Sequence, residues 1–168
     1  CVLGLLFTTS FPVMGFVNEL EKPRIESNDI SITCNLDQID QEQTEATGKD
    51  YIYSDHWKAQ SFKPTTKTLT KIQLNINRID DITSNFEISI KESISSQSLS
   101  SLSVSYTEIP LTNPEWIEFN LIDINVTVDQ TYYIICKTST GAESNSYNWY
   151  ESPDDPYERG IKYFSDES

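Results

Sequence analysis

Lys71-Ile72-Gln73-Leu74-Asn75-Ile76-Asn77 and Phe86-Glu87-Ile88-Ser89-Ile90-Lys91 place an apolar side chain at every second position, with a polar one between. Leu102, Val104 and Tyr106, and then Ile117, Phe119 and Leu121, continue the rhythm. Successive strand side chains point to opposite faces, so a period of two puts one face in a core and the other in water. Strands are expected near 70–78, 85–91, 99–106, 115–121, 131–139, 146–150 and 160–165, with no helical pattern between them. This spacing predicts an all-β fold, an antiparallel two-sheet β-sandwich of jelly-roll type. Asn113-Pro114 and Asp129-Gln130 mark turns. Thr131–Thr138, the most continuously apolar run, is expected to be a central strand buried on both faces.

Upstream, Lys58–Phe62 reads as a strand halted by Pro64, and 37–50, nearly all Asp, Gln, Glu and Thr, as an exposed loop. Residues 30–36 read as a first short strand, and 18–29, charged and polar with Pro23, as a tether. The expected organisation is therefore a leading segment 1–17, a tether 18–29 and one domain over 30–168. Cys1 to Val17 holds no charged residue and resembles the apolar core and cleavage region of a secretory signal peptide, with Val13 and Gly15 before Phe16. A membrane anchor is the alternative, though Gly4, Pro12 and Gly15 interrupt a short span. So are a pilin-like assembly helix, disfavoured by Pro12, and a lipidated Cys1. The protein is expected to be secreted or at the cell surface, touching membrane only through this segment if it stays uncleaved.

Twelve Lys and Arg face 26 Asp and Glu, a formal charge of −14. Such a surface repels phosphate backbones and anionic lipid, so nucleic acid is not an expected partner. Cys34 and Cys136 both sit in apolar alternating segments; a disulfide between them and two separate buried thiols are both consistent with this.

The order of motifs carries a resemblance. Leu36-Asp37-Gln38 opens it, followed by Ala59-Gln60-Ser61-Phe62 with Pro64, and Leu69-Thr70 with Ile72 and Leu74. Trp116-Ile117-Glu118-Phe119 leads to Val128 and Tyr132-Tyr133-Ile134; Trp149, Pro156-Tyr157 and Tyr163 to Asp166 close it. Over about residues 36–168 the chain resembles secreted, mostly archaeal carbohydrate-binding-module-like domains of cell-surface proteins. The resemblance implies a non-catalytic extracellular module that recognises glycan or surface polysaccharide. The chain departs from the family at Arg78–Thr83, where a glycine-containing turn is usual, and at its end, where one more strand is usual. Either the sequence is cut short at both ends or the sandwich lacks its last strand, leaving an edge open to homo-association. The alternative function is a structural or adhesive surface subunit joined through sheet edges; an accessory domain of a larger enzyme is a third.

Enzymatic activity is not expected. His56 is the only histidine, and no CxxC, HExxH or glycine-rich phosphate loop occurs. Binding has better candidates, because aromatic faces suit the apolar C–H faces of sugar rings while amides and charged groups meet the hydroxyls. Two aromatic clusters qualify: Tyr53 and Trp57, and Trp149, Tyr150 and Tyr157 with Asn148 and Arg159. Tyr147 and Trp149 fall two positions apart and read equally as inward strand residues. No cofactor is expected, apart from a structural calcium whose candidate ligands are Asp37, Asp154 and Asp155. Asn125-Val126-Thr127 is an N-glycosylation acceptor triplet.

Overall fold

The computed structural model describes the backbone of residues 2–3, 5–11, 36–152 and 158–165, with side chains described from Ile39 onward. It is all-β, with twelve described strands in two antiparallel sheets. Two short N-terminal strands come first, β1 (Val2–Leu3) and β2 (Leu5–Phe11), then β3 (Leu36–Gln43), β4 (Gly48–Ile52) and β5 (Lys58–Phe62). The body follows as β6 (Thr68–Arg78), β7 (Phe86–Lys91), β8 (Ser98–Val104), β9 (Glu115–Asn125), β10 (Tyr132–Lys137), β11 (Tyr147–Ser152) and β12 (Lys162–Phe164). Among the described residues one 3-10 turn occurs, Tyr106–Glu108, capped by the Ser105 hydroxyl, which accepts from the Thr107 amide.

One sheet is built on β6, the longest apolar alternation. β9 pairs along one of its edges, and the other edge is shared by β11 and β2; β4 pairs with β11, and β3 with β2. The second sheet runs β12-β5-β10-β7-β8. Ile72, Leu74 and Ile76 from the first sheet and Phe86, Ile88 and Ile90 from the second are fully buried in one common core. Phe86 joins the layers directly, its ring 5.7 Å from Phe119 of β9 and 5.1 Å from Tyr147 of β11. The Tyr147 hydroxyl donates to the Ser84 carbonyl at 2.6 Å, so its polar tip is satisfied without leaving the core.

Several expectations change. The stretch 37–50 is not a loop: β3 and most of β4 occupy it. Gln41 and Gln43 are buried despite their polarity; the Gln41 amide donates to the Lys63 carbonyl, and Asp40 accepts from the Thr65 amide and hydroxyl. Of the strand expected at 30–36 only Leu36 is described, as the first residue of β3. β10 is central, between β5 and β7, yet not buried on both faces: Tyr133 is partly open and Lys137 exposed. The uncharged N-terminal segment, expected to be a leader, supplies β1 and β2 to the first sheet. Cys136 is a free, fully buried thiol whose pKa burial pushes well up; Cys34 lies outside the described residues.

The sheets are also tied at one margin by charge. The Lys162 ammonium on β12 reaches Glu151 on β11 at 2.7 Å and Asp50 on β4 at 2.8 Å, and Lys58 on β5 lies 3.6 Å from Asp50.

Candidate functional site on the outer face of the five-stranded sheet

The polar half of the alternation builds a groove. Because β5, β10, β7 and β8 are neighbours, their outward residues fall into rows across the sheet. Ala59, Ile135, Ser89 and Ser101 form one row; Lys137, Glu87 and Ser103 form the next. Trp57, immediately ahead of β5, stands at the end of the second row and lines a groove of about 420 Å³ together with Ile135, Lys137, Ser89, Ser101 and Lys91. The floor is therefore apolar at Ile135 and hydroxylated at the serines, with one aromatic wall and cations at two places.

Trp57 is held by its backbone. Its amide donates to the Asp55 carbonyl at 3.1 Å and its carbonyl accepts from the Ser165 amide at 3.2 Å, which leaves the indole to the groove. Lys137 pairs with Glu87 at 3.0 Å with both side chains about half exposed, a contact weak enough to be exchanged for a ligand. The Lys91 ammonium rests on the Ile94 carbonyl at 3.3 Å. Beyond the groove, Tyr133 and Tyr163 meet edge to face at 5.4 Å on the same side of the sheet. Burial, followed by the hydrogen bond to Tyr163, raises the Tyr133 pKa.

Among the described residues expected from sequence, only Trp57 enters this groove. Tyr53 stacks on His56 at 4.3 Å and closes the β4–β5 turn, which the two residues also bridge through their backbones. Trp149 is 0% exposed, so it is a core residue and no stacking surface. The alternation that buries Tyr147 turns Trp149 inward as well. Asn148 faces the other way but is also buried, its amide donating to Asn77 Oδ1 at 2.9 Å and tying β11 to β6. Arg159 is a clamp: its guanidinium donates to the Lys63 carbonyl and to Asp129 at 2.5 Å, fastening the segment before β12 to two turns. Tyr150 lies on the opposite sheet, where it and Asn148 line a separate hollow of about 430 Å³ with Lys49, Asn77 and Asp80.

The two aromatic clusters thus do not combine into one platform. Tyr157, Asp154 and Asp155 lie outside the described residues, and Asp37 is described only as backbone in β3. Among the described residues no three His, Cys, Asp or Glu side chains gather as a metal site.

Sequence reasoning missed Ser89, Ser101, Lys91 and Lys137. They were visible as the solvent half of the alternation, but only the strand order places them side by side. Chemically, the groove offers an aromatic face, several hydroxyls that both donate and accept, and ammonium donors. It can hold a polyhydroxylated chain through stacking and hydrogen bonds. No protein-family model, curated protein or solved structure matches this chain.

Proposed function

We propose that the protein is a non-catalytic, extracellular glycan-binding module and that the Trp57 groove is its recognition surface. The observation that carries this reading is one aromatic wall beside a hydroxyl-rich, partly apolar floor on an open sheet face. That combination suits a sugar ring, which presents C–H to the indole and hydroxyls to Ser89, Ser101 and Lys137. The strand order supports a jelly-roll frame. β4-β11-β6-β9 in one sheet faces β5-β10-β7-β8 in the other, so most consecutive strands cross between layers.

The test is retention on a panel of insoluble and immobilised polysaccharides, with and without EDTA. Replacing Trp57 by Ala should weaken retention about tenfold, the loss of one stacking contact of about 1.4 kcal/mol. Tyr53→Ala, outside the groove, should leave affinity unchanged. Retention on no polysaccharide, or an affinity indifferent to Trp57, would refute the reading; loss of binding in EDTA would add calcium to it.

A further inference from the structure

The β6-centred sheet contains a fork. β11 runs beside β6 only as far as Trp149 opposite Ile76, and then the two strands part. Past that point Glu151 and Ser152 of β11 pair with Leu3 and Val2, while Leu74 to Lys71 of β6 pair with Leu5 to Thr8. The N-terminal segment fills the fork through β1 and β2. Among the described residues no other strand pairs with that edge of β6, and β2 is the only described partner of β3.

Two features of the occupant matter. It is uncharged from Cys1 to Val17 in a chain carrying 26 acidic residues. Unlike the edge strands that charge and proline protect from association, its centre Leu5–Phe11 carries neither. Its connection is also far longer than its position needs. Phe11 and Leu36 are register partners, neighbours about 5 Å apart. A direct hairpin would use about 2–5 residues. The chain instead spends residues 12–35, which reach roughly 80 Å when extended. Nothing in the covalent path obliges the strand to enter the fork of its own chain.

We propose that this fork is a strand-acceptor slot and that its exchange partner is the Val2–Phe11 segment of a second copy, so that copies assemble by swapping N-terminal strands. A tethered strand competes at an effective concentration of about millimolar. Exchange is therefore favoured by crowding, as at a surface, or by refolding at high concentration. The inference is independent of the glycan groove, which lies on the other sheet.

The experiment refolds a tagged and an untagged full-length chain together at about millimolar concentration and measures capture of the untagged chain. The tagged chain should retain it, and light scattering should report dimers or larger species. A synthetic peptide of residues 2–11 with a lysine tail, present in excess, should lower capture at least severalfold. The double variant Leu6→Pro with Thr8→Pro, which removes two ladder amides from β2, should also lower it. Because that variant could misfold, the peptide arm decides. Monomers at every concentration, or capture indifferent to the peptide, would overturn the proposal. The second outcome would move association to another edge, such as β8.

Discussion

Replacing Lys162 by Met removes the cation that two carboxylates from the other sheet share. Its ammonium lies 2.7 Å from Glu151 and 2.8 Å from Asp50, and the three side chains are only 16%, 9% and 16% exposed. At an effective dielectric of about 20 each contact is roughly 6 kcal/mol of gross attraction. Desolvation cancels most of that in the intact cluster. Removing one partner leaves the desolvation uncompensated, which costs about 3–5 kcal/mol in fully buried pairs. Lys58 still lies 3.6 Å from Asp50 and the site is partly open, so the expected loss is about 2 kcal/mol.

The pH dependence sharpens the test. Burial pushes the Glu151 carboxyl above its ordinary value; the hydrogen bond to Lys162 opposes this and the Asp50 charge adds to it. Burial draws the Lys162 ammonium down, but its bonds to Asp50 and Glu151 outweigh that and leave it raised. Both raised groups give a contribution that is complete below their unfolded values and fades as pH climbs through the folded ones. For Lys162 that fading begins only above about pH 10. For Glu151 it starts in the carboxylate range, so at neutral pH the ionised acid depends on Lys162. Without Lys162, Glu151 can instead take up a proton. The defect should be largest near neutrality and shrink at about pH 4.5. Urea unfolding followed by the fluorescence of buried Trp149 would read a midpoint lower by about 1 M near pH 7. An unchanged midpoint, or an equal deficit at both pH values, would refute the argument.

Three further outcomes follow from the same structure. Tyr147→Phe removes the donor to the Ser84 carbonyl and should cost about 1 kcal/mol in unfolding free energy. Burial raises the Tyr147 pKa to about 12, with the Arg78 charge pulling the other way. The stability linked to its neutral form is lost only as pH rises through that value, and no phenolate absorbance from Tyr147 should appear much below it. Gly141→Ala forces a side chain onto φ +112° with its Cβ 2.5 Å from the Asn145 carbonyl oxygen. The expected cost is about 2 kcal/mol, a melting-temperature fall of about 4–8 °C. The Cys136 thiol, wholly buried and free, should resist labelling in the native state and react at the unfolding rate, as peptide mass mapping would show; full labelling without unfolding would contradict its placement.

Much of the architecture was legible beforehand because period-two burial is a local property. Ile72, Leu74 and Ile76, or Phe86, Ile88 and Ile90, announce their inward face without knowledge of a partner strand. β3 and β4 escaped because their burial is polar. Gln41 goes inside with its amide on the Lys63 carbonyl, which lies on a distant turn, and Gln43 with its side-chain carbonyl accepting from the Glu45 amide. The site was less legible. Trp149, two positions from Tyr147, gives the same signal whether it faces core or solvent, and only the fold separates it, buried, from Trp57, which lines the groove.

Taken by itself, the sequence determined the all-β class, the main strands and the inward residues, since each depends on neighbours two positions away. Tertiary structure alone decided which outward residues share a surface. Strand order and register bring Ser89, Ser101 and Lys137 together from three strands, with Trp57 just ahead of a fourth, and they send Asn148 and Arg159 to structural bonds instead. It also decided that an apolar leader-like segment can occupy a fork in a sheet. Whether such a segment is a strand depends on the unpaired amides and carbonyls of β6 and β11, and those belong to residues far along the chain.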